Sequence, residues 1–202
     1  MIQNTQNIYT MILDKKKAIF DATLDLISKN GFHAAPMSLV AKNANVAAGT
    51  IYHYFDSKET LISELFKSQK SLIESIITEA DDTTKGFKDR FRQVYNGLYT
   101  YFIKNSKVFL FLEQYMSSPF MHKNSKEEFE AFFLPISDFL KKGLYNGSIR
   151  EMNSRLSVSM FYGNISALVK LCLSGTMLID HETTTNAFNT CWDGMKNPKA
   201  TN

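Results

Sequence analysis

Apolar residues recur at spacings of three and four along almost the whole chain, and runs alternating with period two are scarce, so the pattern predicts an all-α protein. The first helix is expected over residues 14–30, with Ile19, Ala22, Leu26 and Ile27 on one face and Gly31 supplying the left-handed residue that ends it. Pro36 suits the start of a second helix, because its fixed φ is already helical, and Leu39, Val40 and Ala44 form its buried side. Asn45, one of the few non-glycine residues that tolerate positive φ, then turns the chain into a third short helix over residues 46–55. Asp56 and Glu59, three apart, read as an N-cap and its capping-box partner for a long helix whose apolar face carries Leu61, Ile62, Leu65, Phe66, Ile73, Ile76 and Ile77. After a polar break at residues 81–85, helices are expected over 86–105, 107–116 and 123–146, the last interrupted by Pro135. Two further helices follow over 154–174 and 181–196.

The short helices around Ala44, Asn45 and Val46 fit two arrangements by spacing. One is a helix-turn-helix, whose second helix lies in the DNA major groove; the other is a three-helix corner of a larger bundle. Charge does not choose between them. The net charge is +3, and residues 1–70 carry 8 lysines against 6 acids. With 202 residues, 44% apolar and 21% charged, the chain has the composition of a globular protein and length enough for a sizeable core, which excludes wholesale disorder. Two cysteines and four scattered histidines supply neither a disulfide framework nor a four-ligand zinc site, so a reducing cytoplasm is expected. Lysines 15–17 follow the first apolar stretch instead of preceding it, the reverse of a signal peptide, and they read first as a solvated charge run. Residues 158–173 read as too short to span a bilayer and contain Asn164 and Lys170, so no membrane partner is expected. The chain carries no phosphate-cradling glycine loop, no G-x-S-x-G elbow and no histidines paired four apart. His122 and Glu127 are five apart without a third ligand nearby, so neither an enzyme nor a metal or other cofactor is expected.

Residue detail favours the DNA-binding arrangement. The segment Phe20 to Ile62 includes Asn30-Gly31-Phe32, the pair Val40-Ala41, and Gly49-Thr50-Ile51-Tyr52-His53-Tyr54-Phe55 followed by Ser57-Lys58-Glu59. Over these roughly 45 residues it resembles the N-terminal DNA-binding segment of the TetR/AcrR family of transcriptional repressors, with the loop Gly147 to Arg150 and Trp192 as fainter echoes. The resemblance implies that Thr50, Tyr54 and Lys58 touch phosphates and that Ser38, Ala48 and Tyr52 face base edges, with Ala47, Gly49 and His53 beside them. Ile51 and Phe55 are expected to bury the other side of the third helix. Ala35 and Ala47 depart from the family by replacing hydroxyl residues that would cap helices or contact phosphate. No arginine precedes Arg90, so a bidentate arginine contact to guanine is missing from this segment, and the methyls of Ala47 and Ala48 suit thymine.

The expected domains are residues 1–57, DNA-binding with an N-terminal extension over 1–13, and 58–202, for effector binding and dimerisation. Residues 85–165 hold 17 of the 26 aromatic side chains, more than one helix face can absorb. Individually each reads as ordinary core. Together, and because the family builds its effector pocket here, Phe87, Phe91, Tyr95, Tyr99, Phe102, Tyr115, Met116, Phe129, Phe132, Phe133 and Tyr162 are expected to line an apolar cavity. The last two helices are apolar on more than one face, and the resemblance implies that they pair with a second copy through Phe161, Ile165, Leu168, Cys172, Phe188, Cys191 and Trp192. The expectation is a homodimer that binds a double-stranded, pseudo-palindromic operator and is released by a small, mainly apolar effector. The alternative is a helical protein-interaction adaptor without DNA binding.

Overall fold

The computed structural model describes residues 2–118 and 125–199; Met121 and His122 lie outside the described residues, as does the side chain of Phe129. Among the described residues every regular element is helical, apart from one isolated antiparallel bridge between Ile149 and Lys196. Among the described residues nine α-helices follow in order: α1 (Ile2–Asn30), α2 (Met37–Asn43), α3 (Ala48–Tyr54), α4 (Lys58–Ala80), α5 (Phe87–Lys104), α6 (Ser106–Met116), α7 (Ser125–Tyr145), α8 (Ser154–Ser174) and α9 (His181–Met195). A 3₁₀ turn, Phe32–Ala34, separates α1 from α2. The all-α expectation holds.

Local chemistry accounts for most boundaries. No glycine or proline interrupts residues 2–30, and α1 starts twelve residues earlier than the first apolar stripe suggested. Gly31, at φ 75°, ends it. The start of α4 corrects the expected cap: Ser57, not Asp56, accepts the Thr60 N–H at 3.1 Å, which puts the first helical residue at Lys58. Pro135 lies inside α7 without ending it, against the expected interruption. Asn153 caps α8 through the N–H groups of Arg155 and Leu156, and Asp180 caps α9 through that of Thr183.

The chain divides into two compact units, one bounded by Met1–Gln69 and Lys107–Lys123, the other by Lys70–Ser106 and Asn124–Asn202. In the first, Ile19, Ile27, Val40, Ile51, Phe55 and Leu65 form a core to which α6 adds Phe109, Phe111 and Leu112. Polar and ring contacts hold α6 there. Gln114 Nε2 donates to the Ile27 carbonyl at 3.1 Å, Lys107 pairs with Asp25 at 2.6 Å, and Tyr115 stacks on Phe66 with ring centroids 4.2 Å apart.

The second unit is built around α5. Phe91 is fully buried and meets Phe161 and Trp192 edge-on, with centroids at 5.0 and 5.1 Å. Gly143 on α7 lets Phe87 pack flat against the helix, since a Cβ there would overlap the ring. Helix α8 is long and apolar enough to cross a membrane by length and composition, which revises the shorter segment expected from the sequence. Its apolar residues Phe161, Ile165 and Val169 are wholly buried within the unit, as in the core helix of a folded domain.

Candidate nucleic-acid interface and effector region

The turn between α2 and α3 follows from three backbone groups. Ala44 closes α2, Asn45 takes φ 54°, the one positive value at a non-glycine residue among the described residues, and Ala47 is extended where it caps α3. The Val46 N–H donates to the Ala41 carbonyl at 3.0 Å and the Asn45 N–H to Lys42 at 3.2 Å. These are the paired bonds of a Schellman closure, with asparagine where glycine is commoner. The chain therefore turns sharply without glycine.

Helix α3 is seven residues long and two-sided. Ile51 is completely buried and Phe55, just past its end, is 1% exposed, while Ala48, Gly49, Tyr52 and His53 lie open to solvent. Tyr52 is 54% exposed, an unusual state for a ring on a helix otherwise anchored by its apolar side. Ser38 and Ala47 are also exposed, whereas Thr50 and Tyr54 are half-buried. The structure thus leaves six of the nine expected DNA-contacting residues open on α2, the turn and α3. Lys42 is not among the residues that the motif singles out. It is exposed four residues after Ser38 and so shares that face of α2, a spacing already present in the sequence.

Lys58 is held differently. Its ammonium donates to the Phe32 carbonyl and is half-buried, and burial pushes its pKa down. It ties the 3₁₀ turn to the first turn of α4. Of the three lysines preceding the core of α1, Lys16 pairs with Glu64 at 2.6 Å and lies over the rings of Phe20 and Phe55, and Lys17 pairs with Asp21. Two of the three are therefore already engaged within the chain.

The aromatic residues expected to line one cavity are divided. Tyr115 and Met116 belong with α6 in the first unit, whereas Phe87, Phe91, Tyr95, Tyr99, Phe102, Phe132, Phe133 and Tyr162 belong to the second. Within the second unit, Phe91 and Tyr95 interlock with Phe161 and Phe188. The Tyr95 hydroxyl donates to Asn164 Oδ1 at 2.6 Å, and burial pushes its pKa up. Phe133 meets Tyr162 at 5.2 Å and Phe132 at 4.9 Å, and it lines a groove of about 280 Å³ with Leu134 and Val158 at the start of α8.

The residues expected to pair with a second copy lie mostly inside their own chain. Phe161, Ile165, Leu168, Phe188, Cys191 and Trp192 are buried in their own chain, with Cys172 half-buried; apolar periodicity cannot separate a residue's own core from a partner's. Burial pushes the Cys191 thiol up to about 12, so it behaves as a small apolar group. The open side of α8 instead presents Leu156, Met160, Gly163 and Ala167, a stripe at helical spacing. Among the described residues no cluster of three or more His, Cys, Asp or Glu could hold a metal ion.

Residues 19–65 match the family of bacterial regulatory proteins of the tetR type, and residues 65–197 match the tetracyclin repressor-like C-terminal domain. An uncharacterized HTH-type transcriptional regulator of Haemophilus influenzae is 34% identical over 106 residues, 52% of this chain and 57% of that protein, so the match spans little more than half of that relative. The fatty acid metabolism regulator protein of Bacillus subtilis is 28% identical over 158 residues, 77% of this chain and 81% of the relative. The fold is that of a TetR family transcription regulator from Marinobacter aquaeolei, with a TM-score of 0.83 and 22% identity over 98% of this chain and all of that one. It is also that of the regulator FadR from Bacillus subtilis in complex with stearoyl-CoA, with a TM-score of 0.74 and 23% identity over 88% and 98% of the two chains. A DNA-binding helix-turn-helix followed by a helical C-terminal region, matched together over nearly the full length, makes this chain a member of the TetR family of transcriptional regulators.

Proposed function

We propose that this regulator is a cytoplasmic, homodimeric repressor whose α3 reads a half-site of a pseudo-palindromic operator and which an apolar effector releases from DNA. The observation that carries the reading is the two-sidedness of α3, which buries Ile51 completely while holding Tyr52, His53, Ala48 and Gly49 open beside a turn of the helix-turn-helix type. In this reading Tyr52, Ala48 and Ser38 face base edges, while Thr50, Tyr54 and Lys58 meet phosphates, with Lys42 as a further phosphate contact. The open stripe Leu156, Met160, Gly163 and Ala167 is the surface that pairs with a second copy, because its small residues permit close helix approach and its large ones are costly to leave wet. The effector region belongs to the aromatic-rich second unit. An acyl-type effector is favoured by the similarity to a fatty acid metabolism regulator and by the density of apolar rings around Phe91 and Phe133. Selection of bound sequences from random DNA with the full chain tests the reading. It should return two inverted half-sites, with A·T pairs opposite Ala47 and Ala48; failure to enrich any sequence would favour the adaptor alternative.

A further inference from the structure

Arg92, on α5, is held in an arrangement that the DNA-binding reading does not use. Its guanidinium lies over the Phe188 ring, 4.2 Å from the centroid, and is half-buried. Among the described residues no carboxylate or carbonyl accepts from it. Every other arginine here has a partner: Arg90 is paired with Asp81, Arg155 with Glu130, and Arg150 bonds backbone carbonyls of α9 and the residue after it. The stacked face fixes the plane of the group and leaves its N–H edges free.

Those edges open into a cleft of about 230 Å³ between α5 and α9. Asn96, Thr100, His181 and Thr185 complete its polar wall, and none of the residues lining it is acidic. A planar set of unused donors, backed by a ring and surrounded by amide, hydroxyl and imidazole groups, matches an oxyanion, which a guanidinium holds through two parallel N–H···O bonds. The volume lies below the roughly 300 Å³ of a site for a drug-sized ligand, so the cleft suits a charged group and not a whole apolar molecule. We propose that this cleft is an anion site that takes a phosphoryl group, either as free phosphate or as part of a larger phosphorylated metabolite. Phe188 gives it a route to the interior, because the ring that supports Arg92 also packs on Phe91 and Tyr95.

The test is isothermal titration of the full chain, in chloride buffer, with inorganic phosphate and separately with coenzyme A. Arg92-dependent binding of both assigns the site to the phosphoryl group itself, and binding of coenzyme A alone assigns it to a phosphate carried by a larger molecule. Either result supports the site if Arg92→Gln weakens binding more than about tenfold, the loss expected for a charge-assisted pair. Thr185→Val leaves the stack intact and should weaken the same binding by a smaller factor, which keeps the test decisive if Arg92→Gln unfolds. Absence of binding by both probes at millimolar concentration, or affinity unchanged in both variants, would overturn the proposal.

Discussion

In the proposed reading Tyr52 reads bases and Lys58 anchors the backbone, and their surroundings make the division measurable. More than half of Tyr52 is open to solvent, so Tyr52→Ala should leave the fold intact. It is expected to narrow the gap between operator and random DNA by about 1 to 3 kcal/mol per half-site, read by competition binding. Lys58→Ala should weaken operator and random DNA about equally and lower the salt slope by about one per subunit. Because the ammonium also bonds the Phe32 carbonyl, that variant should melt earlier than Tyr52→Ala. Matched effects of the two variants on both readouts would remove the distinction. The exposure of Tyr52 and the burial of Ile51 were both legible in the motif, because a two-turn helix must spend one side on the core. The second role of Lys58 was not, since nothing in the local sequence says that residue 32 lies beside residue 58.

Helix α4 ends on an ionic lock. Asp81, just past its last residue and nearly covered, accepts from Arg90 at 2.7 Å and Lys142 at 2.6 Å, fastening the helix end to α5 and α7. Burial alone would push the carboxyl up, but the hydrogen bonds and charges of the two cations outweigh it and hold its pKa below the ordinary carboxylate range. A carboxyl depressed in the folded state contributes stability that is present in full above about pH 5 and lost as pH falls through the folded value. Asp81→Asn should cost about 2 kcal/mol near pH 7, reduced from a fully buried pair because Lys142 is half exposed, and much less near pH 3. Thermal unfolding at both pH values checks this, and an equal cost at both would contradict it. Periodicity found α4 and α5 to within a few residues, but gave no sign of the lock, which joins residues 61 apart. It likewise found α6 without revealing that Phe109, Phe111 and Tyr115 serve the unit containing α1. Apolar spacing reports that a face is buried, not which core receives it. The start of α8 at Ser154 was legible without its Asn153 cap, and the choice between Asp56 and Ser57 for α4 depended on backbone geometry.

The proposed dimer depends on a surface that a single chain leaves unfinished. Met160 is 54% exposed and Leu156 52% on the open side of α8, so Met160→Asp combined with Leu156→Asp should shift sedimentation toward monomers while leaving each chain folded. The same variant should lose the affinity gained by engaging two half-sites together, an avidity that commonly exceeds a single contact by about 100-fold or more. Dimers that persist unchanged would place the interface elsewhere. Release of the operator by an effector, as proposed, requires that the two bind unequally to two forms of the same chain. The decisive measurement is therefore reciprocal: fluorescence anisotropy of the selected operator with and without stearoyl-CoA, and titration of stearoyl-CoA with and without operator. A coupling of about 1 to 3 kcal/mol should weaken DNA binding roughly 5- to 150-fold and weaken ligand binding by the same factor. Stearoyl-CoA that binds the chain yet leaves operator affinity untouched would contradict release by an acyl effector.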